Sequence, residues 1–250
     1  MRVLGLDTAT SATAAALLDT TAGIAVRARD DPEPGTRPRH TTQLLSLLIE
    51  VLERGGSDWS DVDRIAVGVG PGTFTGLRIG VATARALARA HGIPIVGVST
   101  LQSLALGALA DPAVQPGANP AMARLDVLMP VLDARRREVF AAAWPARRPA
   151  TGAWDPLLAP LAATPAALAD AAKQLGSTRL AVGDGAVEFR AVLECSGTLI
   201  PEDDSELHRV CAINHCRLAG AQAPQDHDGI RPNYLRLADA ELTRRAAERK

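Results

Sequence analysis

The sequence predicts an α/β protein whose first half is a mixed sheet in the order βββαβαβα. Three observations carry this. Residues 64–69 form an apolar strand that breaks on Gly70-Pro71-Gly72 and opens into a helical pattern reaching Gly92, a helix stop in front of Ile93-Pro94. Ahead of it, three short apolar runs at 3–6, 13–18 and 24–28 are separated by turn residues, the pattern of a meander. Around and after it, helices and strands alternate, which requires crossover connections and parallel pairing.

Residues 3–6 read as a buried strand ending at Asp7, with Thr8, Thr10 and Ser11 in the returning turn. The run 30–38, rich in proline and charge, is a loop before a helix over 41–54 that stops at Gly55-Gly56. Its Leu44, Leu45, Leu47, Leu48, Ile49, Val51 and Leu52 cover an arc of about 200°, wider than one core-facing stripe needs, so two buried faces are expected. The glycine turn places Thr73 or Thr75 as the cap of the next helix. There Arg78, Arg85 and Arg89 share a narrow stripe, while Gly76, Gly80, Thr83 and Ala84 form a strip of small residues. Glycine inside a helix costs about 1 kcal/mol relative to alanine, which close approach of another backbone offsets. Leu77 and Val81 can serve the contact within the chain, so Gly76 and Gly80 are expected to face another molecule. The arginine stripe is expected at the rim of that contact or facing acidic groups of the partner. A strand over 94–98 and a helix over 99–110 complete the first half.

Pro112, Pro116, Gly117 and Pro120 mark residues 111–124 as a junction. Beyond it, 126–133 is a strand, 135–137 a turn and 138–144 the partner strand. Residues 147–165 read as irregular, 166–175 as a short helix, and 180–182 as a strand running into Gly183-Asp184-Gly185 and another helix. Residues 205–221 read as one helix packing back on the first half, and 238–250 as a charged helical tail. The expected division is a first lobe at 1–110, a smaller second lobe at 111–204, the returning segment at 205–236 and a tail at 237–250.

With 47% hydrophobic residues among 250, a packed core is ample. The 27 basic and 28 acidic residues balance, so any nucleic-acid-binding face has to be local. All but two of the basic residues are arginine, Lys173 and Lys250 being the exceptions. Three cysteines, none in a Cys-x-x-Cys pair, argue for a reducing interior. Asp7 interrupts the first apolar run, and no later run approaches the roughly 20 residues of a membrane span, so a cytoplasmic protein is expected.

The stretch Gly-Pro-Gly-Thr-Phe-Thr-Gly-Leu-Arg-Ile-Gly at 70–80 resembles the signature of the TsaB (YeaZ) family. Leu-Gly-Leu-Asp-Thr-Ala-Thr at 4–10, Arg39-His40, Leu132-Asp133-Ala134-Arg135, Glu138-Val139-Phe140, Gly183-Asp184-Gly185-Ala186 and Pro232-Asn233-Tyr234-Leu235-Arg236 agree with it in order along the chain. The resemblance implies a two-lobed actin-like fold of the sugar-kinase and Hsp70 ATPase (ASKHA, ribonuclease H-like) superfamily, with a reduced second lobe. It also implies a non-catalytic subunit that needs no cofactor. Such a subunit supports transfer of threonylcarbamoyl from threonylcarbamoyl-AMP to N6 of adenosine 37 in tRNAs reading ANN codons. Its implied partners are TsaD, bound as a heterodimer, and TsaE. The chain would pair with itself when alone and meet tRNA only through the complex. The implied interface is Leu44, Leu45, Leu48, Leu52, Gly76, Gly80, Thr83, Arg78 and Arg85.

The alternative is an active ATP-dependent kinase with Asp7 on the metal. Asp7, Thr8, Thr10 and Ser11 match the first phosphate-facing turn of an actin-like ATPase, as a vestigial or interface nucleotide site; the same residues also close an ordinary hydrogen-bonded turn. The matching second turn should place glycine beside an aspartate, yet Asp133 is followed by Ala134-Arg135-Arg136-Arg137, which disfavours close backbone approach to a phosphate. Gly183-Asp184-Gly185 could seat an adenosine or simply turn a strand into a helix. Gly68-x-Gly70-x-Gly72 lacks the spacing of known phosphate loops. His208, Cys211 and His215, with Cys216 adjacent, fall on one predicted helix face at spacing a metal can bridge, but buried cysteine is a common core residue, and no metal is expected. The His-x-x-x-His metal motif of TsaD and the Gly-x-Ser-x-Gly elbow of a peptidase are both absent.

Overall fold

Strand β1 (Arg2–Asp7) is apolar on both faces, with Val3, Leu4 and Leu6 fully buried, and such a strand needs cover above and below. The computed structural model describes residues 1–33, 35–114, 124–149 and 153–236 and provides that cover. Next come β2 (Thr13–Asp19), β3 (Ile24–Asp30), α1 (His40–Arg54), β4 (Arg64–Gly70), α2 (Phe74–His91), β5 (Ile95–Ser99) and α3 (Thr100–Ala110). The sheet order is β3-β2-β1-β4-β5, antiparallel through the meander and parallel across β1, β4 and β5.

The second half is built from β6 (Val127–Asp133), β7 (Val139–Pro145), β8 (Leu158–Ala163), α4 (Pro165–Ala172), β9 (Arg179–Val182), α5 (Asp184–Glu188), α6 (Arg190–Glu194), β10 (Thr198–Leu199) and α7 (Ala212–Gly220). Its order, β8-β7-β6-β9-β10, repeats the first sheet strand for strand, with the same parallel and antiparallel pairings. Asp133 at the end of β6 is therefore the counterpart of Asp7 at the end of β1.

Helices α1 and α2 cover one face of the first sheet, sealing Leu44, Leu48, Val51, Val81 and Ala84 against Leu4, Leu17, Ile65 and Val67. On the other face the last helices of the two halves cross. Helix α7 lies on β1 and β2, α3 lies on β6, and the two helices touch each other. Leu101, Leu104, Leu128, Leu132 and Leu180 join in that core; each fully buried leucine contributes about 1.5–3 kcal/mol.

Three local readings need correction. Thr73 occupies the N-cap position of α2 without a side-chain cap bond; its N–H instead donates to the Ala9 carbonyl at 2.7 Å, tying the helix start to the β1–β2 turn. Residues 158–163, read as irregular, form β8, where Pro160 is tolerated because the strand lies at the sheet edge. The single helix over 205–221 is instead a short 3-10 turn at Glu206–His208, an extended link and then α7. Val210 is buried in that link, and the chain there crosses from the second half to the first. The junction is described only as far as residue 114 and again from 124, and the tail at 237–250 lies outside the described residues.

Candidate functional site

The end of β1 was the first candidate, and the structure turns it inward. Asp7 is 1% exposed; its Oδ1 accepts the Ala9 N–H at 2.7 Å and its Oδ2 the Thr100 hydroxyl at 2.8 Å. His215 Nε2 lies 2.9 Å from the same Oδ2, an ion-pair separation whose angle falls short of a hydrogen bond, while His215 Nδ1 meets Ser103 Oγ at 2.8 Å. Burial pushes the Asp7 carboxyl up, but contact with and charge from His215, the Ala9 N–H and the Thr100 hydroxyl outweigh it and hold it below its usual value. Gly68 leaves the room for this: a Cβ there would sit 1.8 Å from Asp7 Oδ2. Asp7 thus locks β1 to the crossing helices α3 and α7.

The rest of the proposed nucleotide turn is likewise spent within the fold. Thr8 is 1% exposed and its hydroxyl donates to the Gly76 carbonyl at 2.7 Å. Thr10 accepts from the Ala12 N–H in a local turn, and Thr10 and Ser11 are half-buried. The Asp7 carboxylate and the Thr8 hydroxyl are thus both engaged inside the fold, while Thr10 and Ser11 keep part of their surface exposed. At the equivalent end of β6, the Asp133 N–H donates to Asp184 Oδ1 at 3.0 Å, and a Cβ on Gly185 would meet the Leu132 carbonyl carbon at 2.6 Å. The 183–185 turn is consumed in packing on β6.

His208 and His215 part company because they are not on one helix. His208 lies against Gly183 and the Pro201 carbonyl in the second half, whereas His215 is on Asp7. Cys216 is buried, donates to the Val3 carbonyl at 3.3 Å, and its thiol is pushed up by burial. Among the described residues no group of three or more His, Cys, Asp or Glu side chains could hold a metal ion.

The predicted interface residues separate into two sets. Leu44, Leu48 and Leu52 are 2%, 0% and 3% exposed in the chain's own core, whereas Leu45 is 49% exposed, as is Ile49 at 47%, one turn further along α1 and outside the predicted set. Gly76 and Gly80 are buried, and their contact lies within the chain. A Cβ at Gly76 would be 2.0 Å from the Thr8 carbonyl oxygen and one at Gly80 2.3 Å from Thr8 Oγ1. The close backbone that the helix glycines require is the β1–β2 turn. Thr83 is half-buried. The arginine stripe is also occupied: Arg78 stacks 3.7 Å over the Phe74 ring and donates to the Tyr234 hydroxyl at 3.0 Å, while Arg85 and Arg89 hold Asp228.

Residues 225–236 supply those partners, and the sequence offered no periodic signal for them. Gln225 binds the edge of β5, Asn233 donates to the Val69 carbonyl at 2.7 Å, Tyr234 lies on Phe74 at 5.0 Å, and Arg236 reaches Glu138 at 2.6 Å. His40, also unassigned by its spacing, is buried with Nδ1 2.8 Å from Thr13 Oγ1.

Two halves of one topology, joined by crossing helices, define an actin-like α/β protein, here with the Asp7 carboxylate turned to packing and the Asp133 carboxylate paired with Arg135. Residues 32–198 match the family model described as TsaD: tRNA N6-adenosine threonylcarbamoyltransferase. The chain is 31% identical over 220 residues to the tRNA threonylcarbamoyladenosine biosynthesis protein TsaB of Escherichia coli, covering 85% of this chain and 87% of that one. A Pseudomonas aeruginosa structure described as similar to peptidase YEAZ superposes with a TM-score of 0.72 at 25% identity, covering 94% of this chain and 99% of that one. YeaZ from the same organism gives 0.69 at 23% identity with the same coverage, which bears on the fold alone. The chain belongs to the TsaB (YeaZ) family.

Proposed function

We propose that this chain is a non-catalytic subunit in the biosynthesis of threonylcarbamoyladenosine in tRNA, acting by binding a TsaD partner. The observation that carries the absence of its own catalysis is the inward engagement of Asp7 by His215, Thr100 and Ala9, which leaves no carboxylate at that strand end to hold a metal–nucleotide. Docking falls to the outer face of the neighbouring helices α1 and α2. There Leu45 and Ile49 stand exposed on α1 and the small residues Ala82 and Ala86 on α2, two helices in contact with each other, and small residues let another helix approach closely. The same face pairs two copies when the partner is missing, TsaE joins the heterodimer, and tRNA is met inside that assembly. A cytoplasmic setting fits, since no helix among the described residues is long and apolar enough to cross a membrane. The lobes would divide at 1–110 and 111–204, with 205–236 returning to the first.

Co-purification with TsaD from the same cell tests this. Wild type should form a stable complex, and Leu45→Asp with Ile49→Asp should abolish it while leaving the melting temperature within a degree or two. Steady ATP hydrolysis by the isolated chain, lost in a folded Asp7→Ala variant, would overturn the reading in favour of a kinase.

A further inference from the structure

A cavity of about 360 Å³ opens beside the edge strand β3, walled by Arg27 of β3, Gly107 of α3, the link between the halves at 206–211, and Asn214 and Arg217 of α7. Neither Asp7 nor Asp133 lines it, so it is separate from the two strand ends. Leu104, Ala108 and Ile213, all buried, give it an apolar floor.

Its polar groups are donors left without acceptors. Asn214 is only 6% exposed, and its Oδ1 accepts from Arg217 Nη1 at 3.1 Å. That bond decides which end of the amide is which, because a guanidinium can only donate. Nδ2 is the end turned to Gly107, where a Cβ would sit 2.7 Å from it, and it has no hydrogen-bond partner among the described residues. A buried amide without an acceptor is costly. Glycine in the middle of α3 is costly too relative to alanine, and here it keeps the amide open to the cavity. Arg27 likewise makes no hydrogen bond or ion pair through its guanidinium among the described residues. The charge of Glu206 reaches it, but that carboxylate is already held by Arg29 and Arg209. Asp111 also lines the cavity, so the surrounding charge is mixed, and selection lies in the N–H groups aimed from β3 and α7.

We infer that this cavity binds a small organic carboxylate with an apolar body. The carboxylate takes the Asn214 amide and the Arg27 guanidinium, and the body lies on Leu104, Ala108 and Ile213. Guanidinium–carboxylate bonds are charge-assisted and come in pairs, and apolar walls with a few aimed polar groups are the usual form of a small-molecule site. Inorganic phosphate is the weaker match because it leaves the apolar floor bare. The inference stands apart from the proposed subunit role.

Benzoate is the probe, with benzamide and inorganic phosphate as separate arms, titrated into the full chain and followed by NMR of the Asn214 side-chain amide. Benzoate should shift that resonance saturably with a Kd of about 1 mM or below and raise the melting temperature, whereas benzamide should do neither. Gly107→Ala, whose methyl displaces the amide, and Arg27→Gln should each weaken benzoate at least about tenfold. Arg27 is exposed on an edge strand, so Arg27→Gln carries the test if Gly107→Ala fails to fold. No saturable response to benzoate, an equal response to benzamide, tighter binding of phosphate than of benzoate, or benzoate affinity unchanged in the folded variants would overturn the inference.

Discussion

Replacing Gly80 by alanine should change the sign of its effect according to what stands at position 8. In wild type the new methyl would lie 2.3 Å from Thr8 Oγ1, a buried hydroxyl held in place by its bond to the Gly76 carbonyl. Displacing the hydroxyl forfeits a buried hydrogen bond of about 1 kcal/mol, and moving the helix instead costs on the order of 1–3 kcal/mol of overpacking. The gain in helix propensity returns about 1 kcal/mol, leaving a net loss of up to about 2 kcal/mol. In a Thr8→Ala background the nearest Thr8-side neighbour is the Cβ at 3.6 Å, an ordinary contact. There Gly80→Ala should stabilise by up to about 1 kcal/mol, giving a coupling of up to about 3 kcal/mol in the cycle. Urea unfolding of the four proteins at pH 7 measures it. If Gly80→Ala stabilised both backgrounds equally, or left stability alone and weakened partner binding, Thr8 would not be the group the glycine accommodates.

Asp7→Asn should cost about 1–3 kcal/mol at neutral pH, because it removes an acceptor oxygen from a buried group that takes the Ala9 N–H, the Thr100 hydroxyl and the His215 contact. Because the wild-type carboxyl is held below its usual value, its contribution is complete above about pH 4 and lost as acid protonates it; stability measured from pH 6 down to 2 should fall more steeply in wild type than in the variant. Arg85→Glu should change stability by less than about 1 kcal/mol in thermal melts, since its partner Asp228 is 62% exposed, and Asp228→Arg in the same chain should recover part of any loss.

What could be read from the chain was local. The Gly70-Pro71-Gly72 break, the meander and Gly92 each fix their element within a few residues, and all reappear in the structure. Helix glycines announced a close backbone but not whose: Thr8 lies 68 residues from Gly76 in sequence, and nothing in the helix pattern points there. The width of the α1 arc mixed core and surface, because Leu45 and Ile49 differ from Leu44 and Leu48 only in the side of the helix they occupy. Strand β8 was hidden by Pro160 and weak alternation, which only an edge position tolerates. The Asp7–His215 contact and the segment 225–236 are products of tertiary closure, since their partners come from distant elements with no shared spacing.

The most direct test of the account is reconstitution of the modification itself, with purified TsaD and TsaE, threonylcarbamoyl-AMP and unmodified tRNA. The account predicts no threonylcarbamoyladenosine from this chain alone. Full formation should return when it is added to the partners, and it should be lost again with Leu45→Asp/Ile49→Asp although that variant stays folded. Modification by the isolated chain, or undiminished activity of the complex with the double variant, would contradict it.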